Sequence, residues 1–358
     1  MIIPFFIPHA GCPHQCVFCN QKNISGQIRP VDPATIPKII ITYLDTQVKK
    51  GPVQAAFYGG SFTALPRHEQ HAYLEAVRPF LGSGHIEAIR LSTRPDCISK
   101  EILAFLKDHR VRIVELGVQS MDDRVLALAG RGHAAGDTIT AVKLLKENGF
   151  TIGLQLMAGL PGDSADTFMD TVNTVIGLRP HFVRIYPLLV LKGTPLEELY
   201  KNGGYTPLSL DAAVLLCRNA LLRFEQAGIE VIRIGLQPTR ELEKPGTILA
   251  GPYHPGFRQL VESSILLDRM RRYLSGSGQN GASVVFLVNP RDVSAAVGQK
   301  RSNLVILKKE FELKNIGIQP DRNVPRMTAK GEKRSRGRDY PVSNNSLALF
   351  DDDAVLDQ

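Results

Sequence analysis

Residues 1 to 19 have the sequence MIIPFFIPHAGCPHQCVFC, in which an apolar run is followed at once by three thiols. The run MIIPFFI predicts a β-strand buried on both faces, because such strands are nearly continuous in apolar residues. Cys12, Cys16 and Cys19 follow it with the spacing C-x3-C-x2-C. The stretch therefore predicts a strand that is followed by a loop carrying reactive or metal-binding thiols.

Further apolar runs follow at regular intervals as far as residue 190, separated by amphipathic stretches such as EILAFLKDH and TITAVKLLKENG. Parallel repetition of this kind is compatible with a doubly wound sheet or with a full or partial barrel. We predict an α/β fold with a partial (β/α)6 TIM-type barrel over residues 1–200. In such folds the loops at the carboxyl ends of the strands hold the active site. The runs are VQAAFY, IEAIRLS, VRIVELGV, TIGLQLMAG and FVRIYPLLV.

The regular alternation of predicted strands and helices ends after Pro195. A helix near 209–227, a strand at 229–234 and a connection rich in glycine and proline, KPGTILAGPYHPG, predict a smaller C-terminal α+β module over residues 201–326. The last segment, 327–358, is polar, poor in aromatic residues and charge-segregated. This composition predicts a disordered tail.

The composition limits the classes of function. The 358 residues carry a formal charge of +8, which favours an anionic partner such as RNA, although the basic run at 330–338 is typical of a solvated tail. No stretch approaches eighteen consecutive apolar residues, and the amino terminus lacks the features of an export signal, which predicts a cytoplasmic protein without a membrane partner. Five cysteines, three of them clustered, indicate reduced thiols and not a disulfide framework.

The three clustered thiols are compatible with several kinds of site. A structural zinc site needs a fourth ligand, which His9 or His14 would supply. A redox pair of Cys16 and Cys19 would leave Cys12 without a role, and chance proximity of buried thiols is a further alternative. An iron–sulfur cluster is normally held by four thiolates, so three thiols would hold a cluster and keep one coordination position open. We favour the cluster.

The spacing C-x3-C-x2-C after the first strand of a βα repeat resembles the signature of the radical S-adenosylmethionine (radical SAM) enzymes. The resemblance implies a [4Fe-4S] cluster on Cys12, Cys16 and Cys19, whose open iron binds S-adenosylmethionine (SAM). In that family an electron from the cluster cleaves the sulfonium to methionine and a 5′-deoxyadenosyl radical, which abstracts hydrogen from a substrate. It also implies an electron donor of the flavodoxin or ferredoxin class.

A second motif, FYGGSFTALP, follows the second predicted strand. Gly59 and Gly60 occupy the place of a glycine pair whose backbone, in relatives, contacts the amino group of SAM; without Cβ atoms the main chain can approach a ligand closely. Tyr58 and Ser61 flank the pair and are predicted with it as cofactor-binding residues, although Ser61 stands where relatives often have a glutamate. A plain glycine turn and a core aromatic at Tyr58 are the alternatives.

The remaining motifs, LSTRPD, ELGVQSMDD, AGRGH and LQLMAGLPGD, end the later strands in order. Together they resemble the Elongator catalytic-subunit branch and the related oxygen-independent coproporphyrinogen dehydrogenases, over roughly residues 4–200. The resemblance implies that Gln119 and Gln155 face the ribose hydroxyls of SAM and that Arg131 pairs with its carboxylate. A guanidinium suits this task because it presents a planar, permanently charged fork.

Other polar residues near these motifs have open roles, and no catalytic residue is identified. Glu115 is predicted either to pair with Arg94 or Arg184 across the barrel mouth or to contact the cofactor. His133 is predicted to form loop hydrogen bonds. Cys97 is predicted to be a small buried residue on a helix, as is Cys217, with a role as hydrogen donor as the alternative.

Three functions are compatible with the sequence. The first is a radical SAM enzyme whose substrate is not identified by the sequence and is either RNA, such as transfer RNA, or a protein or metabolite. The second is a radical SAM oxidase or dehydrogenase of tetrapyrrole metabolism. The third is a zinc-stabilised RNA-binding protein without catalysis. Arg291, Lys300 and Arg301 in the C-terminal module are either phosphate contacts or a solvated helix face. The chain shows no acetyl-coenzyme-A signature, so acetyl transfer is not implied by the Elongator resemblance.

Overall fold

The computed structural model describes residues 1–46, 51–277 and 281–333. Its strands are β1 Ile2–Phe6, β2 Gln54–Tyr58, β3 Ala88–Thr93, β4 Val111–Gln119, β5 Thr151–Ala158, β6 Phe182–Pro187, β7 Val190–Leu191, β8 Glu230–Ile234, β9 Ile248–Ala250, β10 Ser283–Val288, β11 Asn315–Pro320 and β12 Ala329–Lys333. Its helices are α1 Gln21–Ser25, α2 Ile36–Asp45, α3 Arg67–Gly82, α4 Lys100–Asp108, α5 Asp123–Leu128, α6 Ala135–Glu147, α7 Ala165–Gly177, α8 Pro195–Lys201, α9 Leu210–Gln226, α10 Phe257–Ser277, α11 Val293–Val297 and α12 Ser302–Glu310.

Seven parallel strands form one sheet in the order β1-β2-β3-β4-β5-β6-β8. The sheet curls into a half-barrel surrounded by helices, which confirms the predicted α/β fold with a partial barrel. Six of its strands are the predicted ones. The seventh, β8, is the strand predicted at 229–234, and it joins the sheet because α9 packs its apolar face on β5, β6 and β8.

The first two strands meet the third helix in an aromatic cluster. The Phe57 ring lies 5.4 Å from Phe5, 5.1 Å from Phe62 and 5.6 Å from Tyr73, measured between ring centroids. Phe5 and Phe57 are paired directly in the parallel register of β1 and β2. Phe57 and Phe62 are fully buried. The cluster therefore holds the base of both loops that follow these strands.

Some of the helices begin at a side-chain cap that the preceding loop supplies. Ser164 accepts a hydrogen bond from Thr167 N at 3.1 Å at the start of α7, and Ser99 accepts one from Ile102 N at 3.3 Å at the start of α4. Such caps satisfy backbone N–H groups that have no partner inside the helix. They mark the points at which the chain turns away from the carboxyl ends of the strands.

The chain divides into two compact units, Met1–Ser264 and Ile265–Gln358. The boundaries set from the sequence, near residues 200 and 326, stay predictions. The first unit contains the half-barrel and a small antiparallel pair of β7 and β9.

The second unit contains a three-stranded sheet in the order β11-β10-β12, with α11 and α12 packed against β11. Fully buried Asp292 accepts a hydrogen bond from Arg326 Nε at 2.6 Å and another from Met327 N. The predicted disordered tail was placed to begin at residue 327, but β12 pairs with β10 as far as Lys333. Backbone pairing orders this polar segment in spite of its composition. Residues 334–358 of the predicted tail lie outside the described residues.

No helix in the described part of the chain is both long enough and apolar enough to span a bilayer.

We predict that Phe57→Ala lowers the free energy of unfolding by about 3–5 kcal/mol, because the truncation removes three ring contacts and leaves a cavity in the core. Ile28→Ala is the matched control, since the Ile28 side chain is 74% exposed. Chemical denaturation followed by circular dichroism measures both variants. Equal losses in the two variants would contradict the proposed contribution of the cluster.

Candidate active site

A large cavity of about 910 Å³ lies on the inner face of the half-barrel and extends to the carboxyl ends of its strands. Residues from β1 to β6 and β8 line it, together with the cysteine loop, residues 7–19. The charged side chains among its described lining residues carry an excess of positive charge, with five arginines, one glutamate and no aspartate or lysine. These residues are Arg90, Arg94, Arg131, Arg184, Arg233 and Glu115.

The cysteine loop follows β1 directly, as predicted, and all three cysteines line the cavity. Cys16 is buried, Cys19 is partly buried and Cys12 is exposed, and none forms a disulfide. Main-chain hydrogen bonds secure both ends of the loop. His9 N donates to Gly59 O at 2.9 Å, and Val17 N donates to Ala129 O at 3.1 Å.

Two glycines allow the cysteine loop to touch the loop after β2. A Cβ atom at Gly60 would overlap the carbonyl oxygens of Ile7 and Ala10, and one at Gly11 would overlap the carbonyl oxygen of Ser61. Gly11 has a φ of +70°, which also favours glycine. Gly60 therefore has a packing role: it lets the two loops lie against each other. Ser61 N completes the contact with a hydrogen bond to Ala10 O at 2.9 Å.

Each thiol has a polar neighbour. Arg131 Nη1 donates to Cys16 Sγ at 3.1 Å, and Gln21 Nε2 donates to Cys19 Sγ at 3.7 Å. Cys12 Sγ lies 3.5 Å from Ser61 Oγ. Burial, followed by the proximity of Cys16, raises the pKa of the Cys19 thiol to about 12. A thiolate at this position therefore requires a positively charged group beside it.

The spacing of the sulfur atoms bears on the kind of metal group. Tetrahedral zinc at about 2.3 Å from each sulfur would place the sulfurs about 3.8 Å apart. Among the described residues, the one set of three or more histidine, cysteine or acidic ligand atoms that all lie within 4.8 Å of one another is His71, Glu75 and His109, which do not line the cavity. The three thiols do not form such a set, with or without His9 or His14. Their wider spacing fits a polynuclear cluster better than a single zinc ion.

Two of the predicted SAM-binding residues meet between β4 and β5: Gln119 ends β4, and Gln155 lies in the middle of β5. Gln155 Nε2 donates to Gln119 Oε1 at 3.4 Å. A bulge between Gly117 and Gln119 shifts the register of β4, and Gln119 adopts a φ of +71°. Bulges of this kind redirect a side chain near functional sites. Arg131 Nη2 donates to Gly117 O at 2.6 Å, and its buried Nε has no hydrogen-bond partner among the described residues.

A buried charge network lies deeper on the same face. Glu115 is 5% exposed, and its Oε2 lies 2.7 Å from Arg184 Nε while its Oε1 lies 3.3 Å from Arg90 Nε. Tyr58 Oη donates to Glu115 Oε1 at 3.0 Å and accepts from Arg184 Nη2 at 3.1 Å. Burial, and then the charge of Glu115, raise the pKa of Tyr58 above its usual range. Tyr58 is therefore a neutral hydrogen-bond donor in this network.

The network confirms one predicted ion pair and corrects the other. Glu115 pairs with Arg184, as expected, but Arg94 pairs with Asp96 through two bonds of 3.0 Å and donates to Arg131 O. Arg94 follows the last residue of β3, beyond the reach of Glu115. Sequence analysis missed Arg90 as the second partner. The signal was available, because a charged residue inside the apolar run IEAIRLS needs a buried counter-charge.

The three remaining candidates have different surroundings. His133 is buried, and neither ring nitrogen has a hydrogen-bond partner among the described residues, so the predicted loop hydrogen bonds are absent there. Burial, and then the charges of Arg131 and Arg94, lower the pKa of His133 to about 4. Cys217 is fully buried on α9, as predicted. Cys97 is only partly buried and ends a short 3-10 turn, not a longer helix.

We predict that Glu115→Gln lowers the free energy of unfolding by about 3–5 kcal/mol, because Arg90 and Arg184 would remain buried beside each other without a counter-charge. Glu198→Gln is the control, since Glu198 is 69% exposed and pairs with Lys201 at the surface. Denaturant titration gives both values. If the two variants lose the same free energy, the buried network does not stabilise the fold.

Comparison with known proteins identifies two domains. Residues 6–175 match the family described as Radical SAM superfamily, and residues 180–266 match the family described as Radical_SAM C-terminal domain. The first match begins in β1 and ends in α7. The enzymes of this family use a [4Fe-4S] cluster and SAM.

Two relatives come from archaea. A protein of Methanocaldococcus jannaschii, described as uncharacterised, is 34% identical over 211 residues, which are 55% of this chain and 64% of the relative. The tRNA uridine(34) acetyltransferase of Methanocaldococcus infernus is 31% identical over 246 residues, which are 57% of this chain and 46% of the relative. The chain therefore spans less than two thirds of either relative.

A solved structure of the archaeal Methanocaldococcus infernus Elp3, with an N-terminal deletion, superposes with a TM-score of 0.56 and 22% identity. The match covers 77% of this chain and 63% of the other, and it supports the fold. The family matches, the half-barrel and the cysteine loop after β1 together lead to one conclusion: this chain contains a radical SAM superfamily domain, followed by a radical SAM C-terminal domain.

Proposed function

We propose that Cys12, Cys16 and Cys19 hold the [4Fe-4S] cluster of this radical SAM enzyme and that its substrate is an RNA nucleotide. The observation that carries the cluster assignment is the position of the three reduced thiols, which line an arginine-rich cavity on the loop after β1. When bound, the cluster and SAM supply the reductive cleavage of the sulfonium to a 5′-deoxyadenosyl radical.

The residues around the thiols fit a cluster. The Arg131 and Gln21 N–H groups point at the sulfur atoms of Cys16 and Cys19. Hydrogen bonds to ligand sulfurs and the extent of burial are means by which a protein sets the potential of a cluster. Because the three thiols are the complete local set, one coordination position of a cluster on this loop would have no protein ligand.

The SAM site proposed from the sequence also fits the cavity. The amide groups of Gln119 and Gln155 lie side by side in its lining and offer the paired donors and acceptors that the hydroxyl groups of a ribose need. Arg131 offers its unpartnered Nε to a carboxylate, next to the cysteine loop. Tyr58, Gly59, Gly60 and Ser61 complete the proposed binding set, with Gly59 at a φ of +89°.

The RNA substrate is supported by charge and by relatives. Five arginines in the cavity favour an anionic ligand, and the Methanocaldococcus infernus relative is described as a tRNA uridine(34) acetyltransferase. In the second unit, exposed Arg291, Lys300 and Arg301 are proposed phosphate contacts. Acetyl transfer is not proposed for this chain, because its sequence shows no acetyl-coenzyme-A signature.

We predict that alanine at Cys12, Cys16 or Cys19 abolishes the formation of 5′-deoxyadenosine from SAM under anaerobic, reducing conditions. Each variant loses one of only three ligands to the cluster. Product is quantified by liquid chromatography, and bound iron and sulfide are measured on the same samples. Cys217→Ala is the control, because that thiol lies in the core outside the cavity. Full activity in any of the three variants would remove the cluster assignment.

We predict that the reconstituted enzyme, given SAM and a reductant, alters a nucleoside in transfer RNA isolated from a strain that lacks this gene. Mass spectrometry of digested RNA detects the change, and the Cys16→Ala protein serves as the inactive control. Binding of the RNA should also weaken steeply as salt rises, since phosphate contacts release counterions. If 5′-deoxyadenosine forms while no nucleoside changes and RNA binding is insensitive to salt, the substrate is not RNA.

A further inference from the structure

Two arginines occupy directly paired positions on neighbouring strands inside the half-barrel. Arg184 of β6 is paired with Arg233 of β8 in the parallel register, and both side chains line the cavity. Adjacent strands lie about 4.8 Å apart, so the two side chains leave the sheet as close neighbours. Like charges in directly paired positions of a sheet destabilise it. The repulsion between these two arginines therefore lowers the stability of the sheet locally.

The neighbouring acid does not cancel the charge. Glu115 is the one acidic residue that lines the cavity, and it is shared between Arg90 and Arg184. Arg233 is partly buried, and no acidic side chain of the described residues forms an ion pair with it. The positive charges of Arg90 and Arg184 are thus compensated by the single carboxylate of Glu115, and the charge of Arg233 has no counter-charge among the described residues.

The donors of the two arginines are used differently. Arg184 Nη2 donates to Tyr58 Oη at 3.1 Å and to Glu115 Oε1 at 3.3 Å, and its Nη1 donates to Tyr186 Oη at 3.4 Å. Its Nε lies 2.7 Å from Glu115 Oε2 but is not aligned for a hydrogen bond. The side chain of Arg233 makes no hydrogen bond with any described residue. Arg233 therefore has its planar fork available for an oxyanion, while Arg184 contributes a fixed charge beside it.

We propose that Arg233, next to Arg184, binds a negatively charged oxygen group of the substrate, either a phosphate or a carboxylate. The inference rests on the proposed function only in naming the occupant as the substrate. The subsite borders the proposed SAM site, because Arg184 is paired with Gln155 of β5 in the parallel register and its Nη2 donates to Tyr58 Oη at 3.1 Å. A cavity of about 910 Å³ is large enough for two small ligands that bind together. The anion would anchor the substrate beside the proposed SAM site.

The test compares the thermal stability of three forms of the reconstituted protein, the wild type, Arg233→Gln and Arg112→Gln, at constant ionic strength. Arg112 is the matched control, because it lies exposed on β4 outside the cavity. In chloride, Arg233→Gln should have a higher melting temperature than the wild type, since the substitution removes the repulsion from Arg184. Because Arg233 forms no ion pair with a described acidic residue, its substitution leaves no buried acid without a partner. The variant is therefore expected to fold.

Inorganic phosphate and acetate are the first probes, followed by uridine and uridine 5′-monophosphate. The wild type and Arg112→Gln should show a saturable rise in melting temperature with one of the anions, as ligand binding to the folded state requires. Arg233→Gln should lose at least ten-fold in apparent affinity, and Arg233→Lys, which keeps the charge, should lose less. A preference for phosphate and for the monophosphate over uridine assigns a nucleotide; a preference for acetate assigns a carboxylate.

Equal anion responses in the wild type and Arg233→Gln would overturn the subsite. So would a lower melting temperature of Arg233→Gln in chloride, because the arginine would then be a structural residue. The result is independent of SAM cleavage. A wild type that binds the anion through Arg233 but forms no 5′-deoxyadenosine would refute the proposed function and leave the anion site intact.

Discussion

The close contact between two loops is the constraint on which the rest of the site depends. Gly60 and Gly11 allow the main chain after β1 to lie directly against the main chain after β2. Any larger side chain at either position would push the cysteine loop away from the sheet. Because β1 and β2 are parallel neighbours, the loops leave the sheet at the same edge, and the glycines convert this proximity into a rigid contact. The thiols are therefore positioned by backbone packing before any metal binds.

The buried charge network has a different part in the molecule. Glu115 connects β2, β3, β4 and β6 through Tyr58, Arg90 and Arg184, so that four of the seven strands share one group of polar side chains. Such groups are costly to bury and contribute little to stability unless every member is paired. Their value here lies in the surplus of positive charge that they hold on the inner face. A half-barrel filled only with apolar side chains would offer no such field to an anionic ligand.

The fold and the outline of the site were accessible from sequence for a physical reason. Parallel strands buried on both faces leave long apolar runs, and the chemistry of a parallel βα fold collects at the strand ends. The position of Cys12, Cys16 and Cys19 in the cavity followed from this rule, whereas Gln119 and Gln155, which lie side by side, were predicted from the resemblance to relatives. The seventh strand was found as an element, but its place beside β6 was not, because sheet order depends on long-range packing.

The sequence by itself determined three features: the cysteine spacing, the glycine pair and the alternating βα pattern. Each of them depends only on local residue types and their order. The choice of partners belongs to the tertiary structure. Whether Glu115 meets Arg90 or Arg94 depends on which of the two lies within the strand and which follows its end, and whether Arg184 lies beside Arg233 depends on the register of β6 and β8. Distances between residues far apart in the chain arise only when the sheet forms, because no local pattern specifies them.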